Sequence, residues 1–249
     1  LLTEVKVAPS PRARGPENPP SAPVPSASPA PSALALLAIA WVLYFAIHSG
    51  LASLAAKRWV ARRAAHLVPI YRLGFNVLAV LLLAPPLALM QSLRGPWLWT
   101  WEGAWGLLAD GLSVLAVAGF LWTLRYYDGS EFLGLRQWRA DSRSVLDQEA
   151  FHLSPLHRAV RHPWYTLGLV LVWTRDMDTA RLVSAVMATL YLALGLWLEE
   201  RKLIVYHGQA YEAYRRRVPA LLPRPWRVLS AAEAAALDRQ AAAERRARR

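Results

Sequence analysis

Two short clusters carry the side chains able to do chemistry. One is Arg161-His162-Pro163-Trp164-Tyr165, a cation, an imidazole and two aromatics at the start of an apolar run. The other is Glu199-Glu200, followed by Arg201-Lys202-Leu203, then Gly208, Tyr211, Tyr214, Val218 and Pro219. Carboxylates are disfavoured at a helix C-terminus. Glu199 and Glu200 are therefore more comfortable if the helix continues past them, or if a cation faces them. A tight polar turn at 174–180 would fold 163–198 into a hairpin and return the two glutamates to Arg161 and His162. On a continuous helix Glu200, Leu203, Ile204, His207, Tyr211, Tyr214 and Val218 share one face, and Gly208 is expected to break it. Each residue also has a plain structural reading. Arg161, His162, Trp164 and Tyr165 suit a membrane interface, Pro163 suits a first helical turn, and the glutamates can pair locally with Arg201 or Lys202 at a few tenths of a kcal/mol.

Other chemistries are excluded or weak. There are no cysteines, so disulfides, thiolate catalysis, Cys-ligated zinc and iron–sulfur clusters are out. His152, His157 and His162 recur every five residues, a spacing that scatters them around a helix. No metal site is expected. No Gly-x-Gly occurs anywhere, so no soluble-type nucleotide fingerprint is present. His48 lies at the end of an apolar run, where an ionisable group is a functional candidate or an interface cap.

The elements that must position these groups are apolar. The chain has 249 residues, 55% hydrophobic, with 12 Trp and a net charge of +12. Residues 33–47, 73–90, 104–124 and 182–198 read as membrane-length helices. The stretch 163–174 is the exception. Its eleven residues after Pro163 rise about 16 Å as a helix against a hydrocarbon core of about 30 Å. It needs shielding by protein, and its mouth lies below the membrane surface. No strand alternation is evident. The expected fold is all-α, a polytopic membrane bundle of about five transmembrane helices including a C-terminal helical hairpin.

Charge sorts with this topology. The loops and ends on one side, 51–72, 125–161 and 199–249, hold 23 of the 29 Lys and Arg, and the other side holds 6. That asymmetry places the C-terminus in the cytoplasm. The basic charge is a topology signal, so no nucleic acid is expected as a partner. The aromatic stretch 97–105 falls on the outer side, where a tryptophan belt belongs. Asp110 is the one formal charge inside the four long blocks and lies near the outer end of its span. Without polar groups at mid-depth or related halves, transport is not indicated. The expected organisation is a disordered Pro/Ala-rich tail at 1–32, a membrane domain at 33–228 and a basic Ala/Arg-rich tail at 229–249. That last tail is expected to be a solvated, frayed end, with a lipid-touching helix as the alternative. Pro85-Pro86 is expected to kink its span. A cleaved signal at 33–50 is a lesser alternative.

The pattern Arg161-His162-Pro163-x-Tyr165, a helical hairpin, Glu199-Glu200-x-x-Leu203, Gly208-x-x-Tyr211-x-x-Tyr214 and Val218-Pro219 resembles integral-membrane methyltransferases of the isoprenylcysteine carboxyl methyltransferase type. The segments 48-HSGLAS-53, 71-YRLGFNVLAVLLL-83 and 132-FLGLRQ-137 are similar to its NnrU-like branch, which includes methanethiol S-methyltransferases. The resemblance covers roughly 35–223. It implies an S-adenosyl-L-methionine-dependent methyltransferase of the bacterial cytoplasmic membrane, acting on a small or lipophilic acceptor, with a thiol in view. It implies that the cofactor sits at Arg161, His162, Pro163, Tyr165, Glu199, Glu200, Tyr211 and Tyr214. An Arg forks the carboxylate of its methionine end, a Glu accepts from the ammonium, and aromatic faces pack on adenine or sulfonium. Gly168 is carried over with an offset, since Leu167 occupies the family's usual glycine position. His48, Arg136 and Gln137 are the candidates on the acceptor side. The alternative is a non-catalytic accessory or regulatory protein linked to nitric oxide metabolism, the association behind the NnrU-like name.

Overall fold

A computed structural model describes residues 27–141, 151 and 153–247. Most of the expected N-terminal tail lies outside the described residues, as does His152.

Four helices are long and apolar enough to cross a membrane. They contain α1 (Pro31–Ala52), α3 (Val68–Ser92), α4 (Gly103–Thr123) and α8 (Thr179–Arg217). Little of their surface is buried by protein, and Val80, Leu81, Leu107, Val114 and Leu115 all point outward. Such surfaces are stable only in lipid, and helices satisfy their own backbone there. The chain is an integral membrane protein with an all-helical, polytopic fold. The short α7 (Pro163–Trp173) is the fifth apolar segment. It is shielded as its length requires, because it packs along α4. Gly119 makes room for Leu167 there; a Cβ at Gly119 would lie 3.1 Å from the leucine side chain. Trp164 Nε1 donates to Thr123 Oγ1 (3.0 Å), and Ser113 and Thr174 share a hydroxyl bond of 2.6 Å.

The remaining bundle forms around α1, which packs on α3 and α8. Leu37, Trp41 and Ala180 are buried at that seam, and Trp41 Nε1 donates to Ser184 Oγ (2.9 Å). Helix α3 runs unbroken through Pro85 and Pro86. Two details differ from the sequence expectation at the ends. A two-stranded ribbon, β1 (Trp97–Trp99) with β2 (Met177–Asp178), ties the loops 91–103 and 174–180 together. Its strands are too short for periodicity to reveal. It confirms that 91–103 and 174–180 lie at one end of the bundle.

The second difference is at the C-terminus. Residues 231–247 are not frayed. They form α9 (Ala231–Ala247), packed on α8. Leu229 and Ala234 join Leu153, Tyr211, Tyr214 and Val218 in a buried cluster at the basic end. Ala-rich composition reads as a solvated tail, yet small side chains also permit close helix packing. The helix opens with a capping box: Glu233 N–H donates to Ser230 Oγ (3.2 Å), and Ser230 N–H to Glu233 Oε2 (2.8 Å).

Candidate functional site

The site lies at the end of the bundle opposite the ribbon, where α7 begins and α8 leaves the membrane-length stretch. Helix α8 carries on for 39 residues in all, but Gly208 breaks it with φ 53° and ψ −131°. Only glycine adopts such a backbone at low cost. The bend returns 209–217 toward α7, and the chain after it closes the mouth. Arg161 N–H donates to Pro219 O (2.9 Å) and His162 N–H to Ala220 O (3.1 Å). Thr166 Oγ1 donates to Leu221 O (2.8 Å).

Arg161 and Glu200 are both largely buried, and they bind each other. Arg161 Nε donates to Glu200 Oε1 (2.7 Å), while its Nη1 donates to the carbonyls of Val218 (2.5 Å) and Arg215 (3.0 Å). Glu200 also meets His162 Nε2 (3.3 Å) and Arg215 Nε (3.4 Å). So Arg161 and Glu200, expected to meet opposite charges of the cofactor, are paired with each other. Glu200, 7% exposed, is a buried hub joining α7, α8 and the 215–218 turn. Glu199 is different. Its side chain is 43% exposed, accepts from the Tyr165 hydroxyl (2.9 Å) and stands 3.6 Å from His162 Nδ1.

Glu199, Arg161, His162, Tyr211 and Tyr214 line a cleft of about 590 Å³. Its opposite wall is the short α5 (Gly129–Leu133) and its flanks, including Asp128, Glu131, Phe132 and Arg136. Asp128 caps α5, and the Ser130 hydroxyl and the Glu131 N–H hold its carboxyl below the usual carboxylate range. Arg136 pairs with Glu131 (3.0 Å) and Asp128 (3.5 Å). The Tyr214 hydroxyl donates to His157 O (2.6 Å). The Tyr211 hydroxyl is buried near the Arg161 guanidinium and, among the described residues, has no hydrogen-bond partner within bonding geometry. A buried polar group without a partner in a cleft wall marks a place where a ligand can bind.

His48 and Gln137 lie elsewhere. They line a second cleft, about 490 Å³, with Lys57, Tyr71, Arg72, Asn76, Trp164 and Lys202. His48 Nδ1 is 2.8 Å from the Tyr191 hydroxyl. Phe132 borders both clefts, and its ring meets Trp164 edge-on at 5.6 Å. Gly134 joins α5 to α6 (Leu135–Arg139) close against α3: its φ is +88°, and a Cβ there would lie 2.6 Å from Leu73 N. Arg136 and Gln137 are consecutive on α6 and point about 100° apart, so Arg136 lines one cleft and Gln137 the other; sequence reasoning had grouped them together. Pro163 starts α7 and is buried, and Gly168 sits five residues on, outside the lining of either cleft. Sequence reasoning missed Asp128, Glu131 and Lys202. The Asp-x-x-Glu cap at 128–131 was the available signal for the first two. Among the described residues no group of three or more His, Asp or Glu is placed to hold a metal.

Comparisons with known proteins agree with this architecture. A methanethiol S-methyltransferase from a Pseudomonas species is 31% identical over 207 residues, covering 78% of this chain and 75% of that one. Methanethiol S-methyltransferase 2 of Bradyrhizobium diazoefficiens is 32% identical over 185 residues, 72% and 70% of the two chains. The Mycobacterium tuberculosis methanethiol S-methyltransferase is 36% identical over 128 residues, 49% of each. No family model matches the chain, and no solved structure does. These relatives support the methyltransferase reading over the accessory one. A membrane-embedded fold, two clefts flanking one helix end, and relatives that match across most of both chains lead to one assignment: the chain belongs to the methanethiol S-methyltransferase family and is a membrane methyltransferase.

Proposed function

We propose that the methyl donor is S-adenosyl-L-methionine, held in the 590 Å³ cleft, and that the acceptor is a thiol such as methanethiol. The observation that carries this is the ring of groups around that cleft: Glu199, Arg161, His162 and the unpartnered Tyr211 hydroxyl. The donor set fits the molecule. Glu199 and Asp128 offer acceptors for an ammonium. Arg136, whose contacts to Asp128 and Glu131 use only Nη1, offers a fork for a carboxylate, while Arg161 is held by Glu200 and two carbonyls. Tyr211 supplies one further hydroxyl, and the rings of His162, Tyr165 and Phe151 offer apolar faces. When bound, the donor supplies a methyl group activated by a sulfonium. The chain's own part is to orient the two reactants in line and keep water away. Little acid–base work is required if the acceptor sulfur is ionised. Glu200 and Arg161 organise the mouth, and His48, Gln137 and Lys202 stand on the acceptor side.

We infer from the charge asymmetry that the clefts and the C-terminus face the cytoplasm, and the bacterial organisms of the relatives support a bacterial cytoplasmic membrane as the location. The domain boundary near 228 is set aside in this reading. Since Leu229 and Ala234 are buried against Tyr211 and Tyr214, the membrane domain extends through α9.

Calorimetric titration of detergent-purified protein with S-adenosyl-L-methionine tests the reading. Wild type binds, and Glu199→Gln and Tyr211→Phe bind more weakly with their folds intact. Absence of binding to the wild type, in protein shown to be folded, refutes it.

A further inference from the structure

The two clefts differ in charge and size in a way that speaks to the acceptor. The first carries three carboxylates, Asp128, Glu131 and Glu199, alongside Arg136 and Arg161. The second carries Lys57, Arg72 and Lys202, and no Asp or Glu among the described residues lines it. The rest of its wall is mostly apolar, with Phe75, Ala79, Phe132 and Trp164 among others, and also carries the polar His48, Tyr71, Asn76 and Gln137. Cations set in a largely apolar wall favour an anion with a hydrocarbon body. Size points the same way. A water takes about 30 Å³ of liquid, so 490 Å³ is on the order of sixteen such units. Methanethiol, with a methyl and a sulfur, fills about two. Clefts of this size ordinarily take molecules much larger than that.

Resting on the proposed donor and thiol chemistry, we infer that the second cleft selects an ionised thiol with an apolar chain or ring substantially larger than a methyl group. The thiol loses its proton to water before transfer. Its sulfur lone pair then forms the new S–CH3 bond, and the donor's S–CH3 bond breaks with its electron pair left on the donor sulfur, which becomes a neutral thioether. Negative acceptor and positive sulfonium cancel, and both products are uncharged at sulfur. Lys202 is placed for this. It lines the second cleft one helical turn after Glu199, which lines the first, so one side of α8 presents a carboxylate to one reactant and, a turn later, an ammonium to the other. Phe132 and Trp164 stand between the clefts and set how far a bulky acceptor reaches.

The test is a series of straight-chain thiols from methanethiol to octanethiol, with thiophenol, assayed at saturating S-adenosyl-L-methionine in nanodiscs. We expect kcat/KM to rise at least tenfold from methanethiol to butanethiol and to stay high for longer chains. Ala79→Phe, which narrows the cleft, lowers the long-chain values by a larger factor than the methanethiol value. Lys202→Met raises KM severalfold with a smaller change in kcat. Thermal melts followed by tryptophan fluorescence show that both variants are folded. A flat or falling series with methanethiol turnover intact overturns this inference and leaves the proposed function standing. Donor binding with no thiol methylated at any length overturns the acceptor assignment, and loss of donor binding in folded wild type overturns the proposed function itself.

Discussion

Neutralising either member of Glu199-Glu200 removes one carboxylate, yet the structure gives the two changes opposite signatures. Glu200 holds Arg161 at 2.7 Å and Arg215 at 3.4 Å, with only a tenth of its side chain exposed. Glu200→Gln keeps the shape but leaves two guanidinium groups without their counter-charge. Removing one partner of a buried pair costs about 3–5 kcal/mol. In a chain of this size about 1 kcal/mol moves a melting midpoint by roughly 2–4 °C, so the drop is on the order of 6–20 °C. Glu199 loses the Tyr165 hydroxyl bond of 2.9 Å, a charged hydrogen bond worth about 1.5–3 kcal/mol when buried. With 43% of the side chain exposed, solvent screening takes that to the low end, a few degrees. Tryptophan fluorescence on heating reads both, and the 12 tryptophans make it sensitive where thiol-reactive dyes have no cysteine to label. Titration of S-adenosyl-L-methionine at a temperature where both variants are folded supplies the second axis. Glu199→Gln should lose donor affinity and little stability, and Glu200→Gln the reverse. If Glu200→Gln melts with the wild type and fails to bind, Glu200 is the ligand and the assignment of roles is wrong.

Tyr211→Phe removes a buried hydroxyl that has no partner, so its melting midpoint should equal or exceed that of the wild type while donor affinity falls. A matched loss of stability would show that the hydroxyl is already bonded. Gly208→Ala forces a side chain into φ 53°, ψ −131°, costing about 1–3 kcal/mol, and should lower both stability and donor binding, since the bend returns 209–217 to the mouth; an unchanged melt would mean the bend is not needed. Glu233 has its carboxyl pulled down to about 2, from 4.5, by the Ser230 backbone N–H and then by Arg217. A lowered folded value means this contribution is complete above about pH 4.5 and fades as pH falls toward 2. Hydrogen-exchange protection at residues 231–236, taken relative to the intrinsic rate at each pH, should therefore fall between about pH 5 and pH 2, and Glu233→Gln should flatten that fall.

The apolar blocks gave up the helices readily, because lipid leaves few alternatives to a helix. The shortness of α7 was equally legible, since length in residues converts directly to ångströms. So was the meeting of Arg161 and His162 with the two glutamates, which follows from the hairpin alone. What periodicity could not tell was which glutamate turns inward. Glu199 and Glu200 are adjacent, and adjacent helical residues differ by 100° in direction, so the answer depends on where α7 lies. Arg136 and Gln137, likewise adjacent on one helix, line different clefts for the same reason. In the sequence, helix α9 is only the alternative to a frayed end, and its packing on α8 is not foreseeable, because alanine and arginine say little about what they pack against. The β1–β2 ribbon escaped notice because five residues hold no pattern.

The mouth has a consequence for how the protein is made. Arg161 takes its carbonyl partners from Arg215 and Val218, and its neighbour Arg158 donates to the carbonyl of Leu229 and accepts from that residue's N–H. At about 5–20 residues per second, the chain from Arg161 to Leu229 takes roughly 3–14 s to synthesise. Through that interval α7 is present at the membrane with an arginine whose partners have not yet been translated. The nascent protein must therefore hold a solvated, unlatched α7 until its last quarter arrives, and premature release anywhere before Leu229 leaves a charged, half-length helix for the quality-control machinery to recognise.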